Sequence, residues 1–177
     1  MTLRILIRTW LVSLVGCLPL LALLLVPQLF RSRAGNEQLL LLGTGLLLLL
    51  LVAAFLAAPV LSAVATPEAG RWDRGRAWRS AGAVWRSRRG AAVGALVAGV
   101  AVYALGQVLA YGVGEVVPPF ADNPAHATDP AQPAWIVHYP AYVLQALVIY
   151  ATTTLAVAVY ATLLRRPSRS TANYLTT

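Results

Sequence analysis

No lysine occurs in the 177 residues, and there is only one cysteine. A lone Cys17 excludes an intramolecular disulfide and a paired-cysteine redox centre. Without lysine, all positive charge rests on fourteen arginines. These are permanently ionised and suited to pairing with phosphate oxygens. Charge of either sign is scarce: 11% of residues against about 25% in soluble domains. So few charges cannot cover the surface of a water-soluble fold of this size, so lipid is the expected solvent for much of the chain.

Catalytic signatures are missing as well. The chain has no HExxH, no GxSxG, no phosphate-binding glycine loop and no acidic cluster able to hold magnesium for lipid phosphotransfer. His126 and His138 both lie outside the long apolar stretches, which argues against bis-histidine haem ligation within a bundle. They share the segment 114–140 with Glu115, Asp122 and Asp129, but at none of the compact spacings of metal motifs. The expectation is therefore no catalytic residue, no metal and no cofactor. The net charge of +8 would suggest nucleic acid in a soluble protein. Here the arginines cluster at the ends of apolar stretches, as membrane orientation requires, and no nucleic-acid partner is expected.

What is present is apolar: 59% hydrophobic residues and a mean hydropathy of +0.70. Four stretches, 9–30, 39–64, 91–113 and 141–164, contain no acidic or basic side chain. A helix rises 1.5 Å per residue, so about 20 residues cross a hydrocarbon layer of about 30 Å. The predicted fold is all-α: one membrane domain over residues 1–177, a bundle of four transmembrane helices. The runs Leu39–Leu42 and Leu46–Leu51 are apolar all round, which suits a lipid-facing helix. Pro19, Pro27 and Pro59 predict bends in the first two helices.

Arginine placement predicts orientation. Twelve of the fourteen fall at the N-terminus, in the loop 65–90 or in the C-terminal tail; only Arg31 and Arg33 fall on the other side. Positive residues stay cytoplasmic, so both termini and the basic loop are expected on the cytoplasmic side of the cell membrane. The first stretch has a small-residue pattern at Ser32-Arg33-Ala34, but it is longer than a signal peptide's apolar core and is read as a span. The halves also read as a loose repeat, each a basic lead-in with tryptophan (Arg8-Thr9-Trp10; Val84-Trp85-Arg86) before a helical hairpin.

Three segments are candidates for function. Thr66-Pro67-Glu68 reads as a helix start. Beyond it, Trp78, Ala81, Gly82 and Trp85 share one face, with Arg76, Arg79 and Arg86 elsewhere. This predicts an interfacial amphipathic segment between the second and third spans. Trp72, Arg76, Trp78, Arg79, Trp85, Arg86, Arg88 and Arg89 would contact anionic headgroups or a protein partner. The third span carries Gly90, Gly94, Ala98, Gly99 and Gly106, small residues for close packing within the chain or in a homo-oligomer. Gln107 and Gln145 fall at similar depth in the last two spans and are read as an interhelical polar pair. Tyr111 and Thr152-Thr153-Thr154 could extend them into a polar pathway, while Trp135 and Tyr139 would seat the outer loop.

The order Arg76-Ala77-Trp78-Arg79, then Trp85-Arg86, then a small-residue-rich helix, with Arg165-Arg166 closing the last, resembles prokaryotic multipass families. These are the membrane domain found with glycerophosphodiester phosphodiesterases and the similar Yip-like proteins. The resemblance spans about Arg71 to Arg169. It implies a membrane module without known catalytic residues, and no site carries over from it. The function expected is a non-enzymatic structural or regulatory membrane subunit that packs with other membrane proteins or organises lipid. The alternative is a small oligomeric transporter.

Overall fold

The computed structural model describes residues 3–26, 37–66, 74–116 and 139–165. Among these all regular structure is helical: α1 (Leu3–Gly16), α2 (Leu18–Leu24), α3 (Glu37–Ala65), α4 (Arg74–Ser87), α5 (Arg89–Val116) and α6 (Tyr139–Leu164). Three helices contain stretches long and apolar enough to cross a membrane: Leu41–Ala65, Arg89–Val113 and Tyr142–Leu164. A fourth span exists if α1 and α2 count as one.

That first segment is not the single helix expected over 9–30. It starts earlier, at Leu3, and bends by 57° at Cys17. The cause is Pro19 in the first turn of α2. Its ring has no N–H and collides with the carbonyl four residues back, so the α1 ladder stops before it. The Cys17 amide closes the last turn of α1 on the Ser13 carbonyl at 2.9 Å, and the Leu20 amide restarts on Cys17 at 2.9 Å. Pro59 produces no break, because α3 runs through it unbroken. Pro27 lies outside the described residues.

α6 is the centre of the bundle, with α1, α3 and α5 all packing on it. Its inward positions follow helical spacing: Tyr142, Ala146, Tyr150, Val157 and Leu164 are all buried. Over an 18-residue stretch of its span 56% of residues are buried, against 17% in the corresponding stretch of α3 and 22% in that of α5. The α5–α6 contact is the most intimate. Gly99 and Gly106 face α6, and a Cβ at Gly106 would stand 2.3 Å from Thr152 Oγ1. Ala92, Ala95 and Ala110 continue that face and are buried. Small residues let the two backbones approach and gain dispersion contact along the helix. Gly90 and Gly94, the expected packing pair, instead meet open space.

Side-chain bonds to carbonyls tie the other helices to α6. Tyr142 donates its hydroxyl to the Leu24 carbonyl at 2.5 Å, and Tyr150 donates to Leu14. Trp10 Nε1 shares its proton between the Ala151 carbonyl and Thr154 Oγ1, both at 3.2 Å. These pairings run antiparallel, so the start of α1 lies beside the end of α6. Just beyond α6, Arg165 donates to the Ser62 carbonyl at 2.8 Å and to the carbonyl and hydroxyl of Thr66. It thereby caps the last carbonyls of α3, where a cation also meets the negative end of the helix dipole. Thr66 thus closes α3 in the described structure, its hydroxyl also reaching back to Ser62. Pro67 and Glu68, the rest of the expected helix start, lie outside the described residues.

Candidate functional site

Two features stand out, at opposite ends of the bundle. The first is a cavity of about 240 Å³ among α2, α3, α5 and α6, in the half nearest the α5–α6 connection. Leu20, Leu24, Leu47 and Leu51 form its apolar wall; Tyr103, Gln107, Tyr142, Gln145 and Thr153 bring polar atoms to it. No charged residue lines it among the described residues.

The expected Gln107–Gln145 pair therefore meets at one cavity, but the interhelical bond takes another form. Gln145 Nε2 donates to the Ala110 carbonyl of α5 at 3.2 Å, one turn beyond Gln107. Gln107 Nε2 is buried with no partner among the described residues, and so is Thr153 Oγ1. The reason is rotational: Gln145 lies opposite the backbone of the small residue Ala110, where no side chain obstructs its approach. The three threonines divide in the same way. Thr152 bonds the Val148 and Ile149 carbonyls, and Thr154 bonds Tyr150 and Ala151. Both return to their own helix, and only Thr153 presents an unspent hydroxyl to the cavity. Tyr111 is exposed and does not line it.

Beside the cavity runs a wider groove of about 520 Å³ between α3 and α5, with Tyr160 of α6 as part of its floor. It is apolar, walled by Val52, Phe55, Leu56, Leu96 and Val100. Leu51 and Tyr103 line both spaces, so cavity and groove share a wall. Phe55 and Tyr160 pack with ring centroids 5.5 Å apart. Sequence reasoning missed Tyr103, Tyr160 and the groove. The available signal was the tyrosine and threonine content of the last apolar stretch, too polar for a helix that faces lipid alone.

The second feature is α4, at the end where α1 begins and α6 ends. Toward the bundle it turns Ala77, Val84 and Trp85; of the four residues read onto one face, Ala81, Gly82 and Trp85 are half-buried and Trp78 is exposed. Ala77 is buried, while Trp85 is half-buried and donates Nε1 to Tyr160 Oη at 3.3 Å. Trp78 is exposed, as are Arg79, Arg86, Arg88 and Arg89. Arg86 Nε bonds the Gly82 carbonyl at 3.3 Å, keeping its stem along the helix. Arg88 is the single non-helical residue between α4 and α5. With Arg4 and Arg8 of α1 and with Arg165, these residues make one basic end. The side chain of Arg76 is not described, and Trp72 lies outside the described residues, as do His126, His138 and Trp135. No group of metal-binding side chains occurs among the residues that are described.

Among the described residues, fold and site define an all-helical arrangement with three or four helices long and apolar enough to cross a membrane, a polar cavity and a basic end. Comparison with protein-family models, with curated proteins and with solved structures finds no match to this chain.

Proposed function

We propose that the protein is a non-enzymatic multipass subunit of the cell membrane, with both termini cytoplasmic, that organises anionic lipid at its basic end. Membrane embedding is supported by the wide apolar surface of α3 and α5. Leu41, Leu48, Leu49, Val97, Val108 and Leu109 are all more than half exposed. Soluble monomers rarely expose an apolar surface of that extent. The observation that carries the lipid role is the seating of α4. Trp85 and Ala77 fix one face on the bundle, which leaves Trp78 and the arginines exposed at the same end of the molecule. An aromatic ring at headgroup depth beside guanidinium groups suits phosphate contact, each arginine contributing about 1 kcal/mol at an anionic surface.

The test uses the full chain in lipid nanodiscs. Replacing Arg79, Arg86, Arg88 and Arg89 by Gln should abolish enrichment of anionic over zwitterionic lipid around the protein. Enrichment unchanged by that variant would refute the lipid role and leave the basic end to a protein partner. Orientation is tested separately in a Cys17→Ala background. Cysteines at Ser80 and Thr171 should resist an impermeant thiol reagent applied to intact cells, and one at Ala127 should react; the reverse pattern would invert the topology.

A second reading, a small oligomeric transporter, is supported by the cavity, since transporters hold substrate between helices near the membrane midplane. Solute flux in proteoliposomes that Gln107→Leu abolishes would favour it.

A further inference from the structure

From the shared wall of cavity and groove, we infer a binding site for an uncharged fatty-acyl ester. The acyl chain lies in the α3–α5 groove, and the ester oxygens accept hydrogen bonds from Gln107 Nε2 and Thr153 Oγ1. The inference rests on the membrane-embedded reading above.

Unspent polarity is the first observation. Thr153 is only 2% exposed, yet its hydroxyl has no partner among the described residues, and neither has the Gln107 amide nitrogen that lines the same cavity. A buried donor left unpaired is costly, so two in one cavity call for a hydrogen-bond acceptor. Of the remaining polar groups, Gln145 bonds the Ala110 carbonyl and Tyr142 the Leu24 carbonyl, while Tyr103 adds a third hydroxyl to the lining. With no charge in the lining, a carboxylate or phosphate would find no counter-ion, and burying one unpaired is costly. Carbonyl oxygens fit, because they accept without carrying charge.

The second observation is adjacency. Leu51 and Tyr103 border both spaces, so in this proposal the chain passes between them from the cavity into the groove walled by Phe55, Leu56 and Val100 and floored by Tyr160. From Leu47 to Leu56 this path is about 13 Å long at helical rise. The groove opens sideways, because its wall residues Val52, Leu56 and Val100 are exposed on α3 and α5, so an acyl chain would reach it from the hydrocarbon layer without crossing a headgroup region.

The experiment compares 1-monooleoylglycerol, its ether analogue without the carbonyl, and oleate, each titrated into the full-length protein in mild detergent. Native mass spectrometry reads bound molecules per chain. Wild type should bind one monooleoylglycerol roughly tenfold more tightly than the ether or oleate. Gln107→Leu and Thr153→Val should each cut that preference severalfold. Val100→Trp, at an exposed groove wall, should weaken ester and ether alike. Equal binding of ester and ether to wild type would overturn the inference and make the cavity merely hydrated. Tighter binding of oleate, or binding untouched by Val100→Trp, would overturn it equally. Alkaline carbonate extraction separates the two levels: release from membranes defeats the membrane reading itself, whereas retention without ester preference defeats this inference alone.

Discussion

α3 and α6 are both long, apolar and free of charge along their spans, yet α6 is more than three times as buried. α3 presents leucines outward on nearly every side, and no strong apolar stripe distinguishes one face from another. α6 is the less hydropathic of the two and holds the middle of the bundle. This is the reverse of the rule in water, where the most apolar element goes to the centre. When the surroundings are as apolar as leucine, burial offers a leucine little, whereas a Tyr or Thr hydroxyl gains a carbonyl partner inside. Tyr142 and Tyr150 each find one on a neighbouring helix.

If that contrast is right, substitutions that crowd or unpair α6 should cost much more than equally drastic ones on α3. The largest effect is expected from Gly106→Leu. A side chain there would drive α5 off Thr152, costing about 3 kcal/mol or more, read as a large fall in thermal stability in detergent. Gly45→Leu on α3 meets no atom and should leave the melting point unchanged or slightly raised. Equal losses would end the distinction. Next comes Arg165→Ala, which strips the cap joining the end of α6 to α3. A loss of about 1–3 kcal/mol is expected, with Arg165→Lys recovering part of it. Smaller again is Gln145→Leu, at about 0.6–2 kcal/mol for one interhelical bond. Gln107→Leu should leave stability unchanged or raise it slightly, since no bond is lost and an unpaired buried donor is removed. The opposite order in urea or thermal unfolding would mean that Gln107 carries the bond. Smallest of all is Leu48→Ala on the outer face of α3, within about 0.5 kcal/mol of wild type.

Some of this was legible residue by residue. The scarcity of charge and the length of the apolar stretches were enough for helices of membrane-crossing length. The Leu39–Leu51 run was enough for an outward-facing helix. Pro19 signalled a bend, though not that α1 would end at Gly16 while Pro59 left α3 intact. The ring collides with the preceding turn in both cases. Whether the turn opens depends on the packing of the neighbours, and no local pattern records that. The small residues of α5 were legible as packing residues, but which of them pack was not. Gly90 and Gly94 lie on the same helix as Gly99 and Gly106, and only the rotation of α5 about its axis selects the latter.

Composition and spacing by themselves determined the helical class, the approximate spans, the basic end and the absence of familiar catalytic motifs among the residues. These properties depend on one segment at a time: its hydropathy, its length, its charge. Only the tertiary structure decided that α6 sits at the centre, that Trp85 turns inward while Trp78 stays out, and that Gln145 spends its amide on Ala110 and leaves Gln107 unpaired. Those outcomes depend on the relative rotation and depth of whole helices. Many small dispersion contacts and a few interhelical hydrogen bonds set them together, and no single segment encodes them.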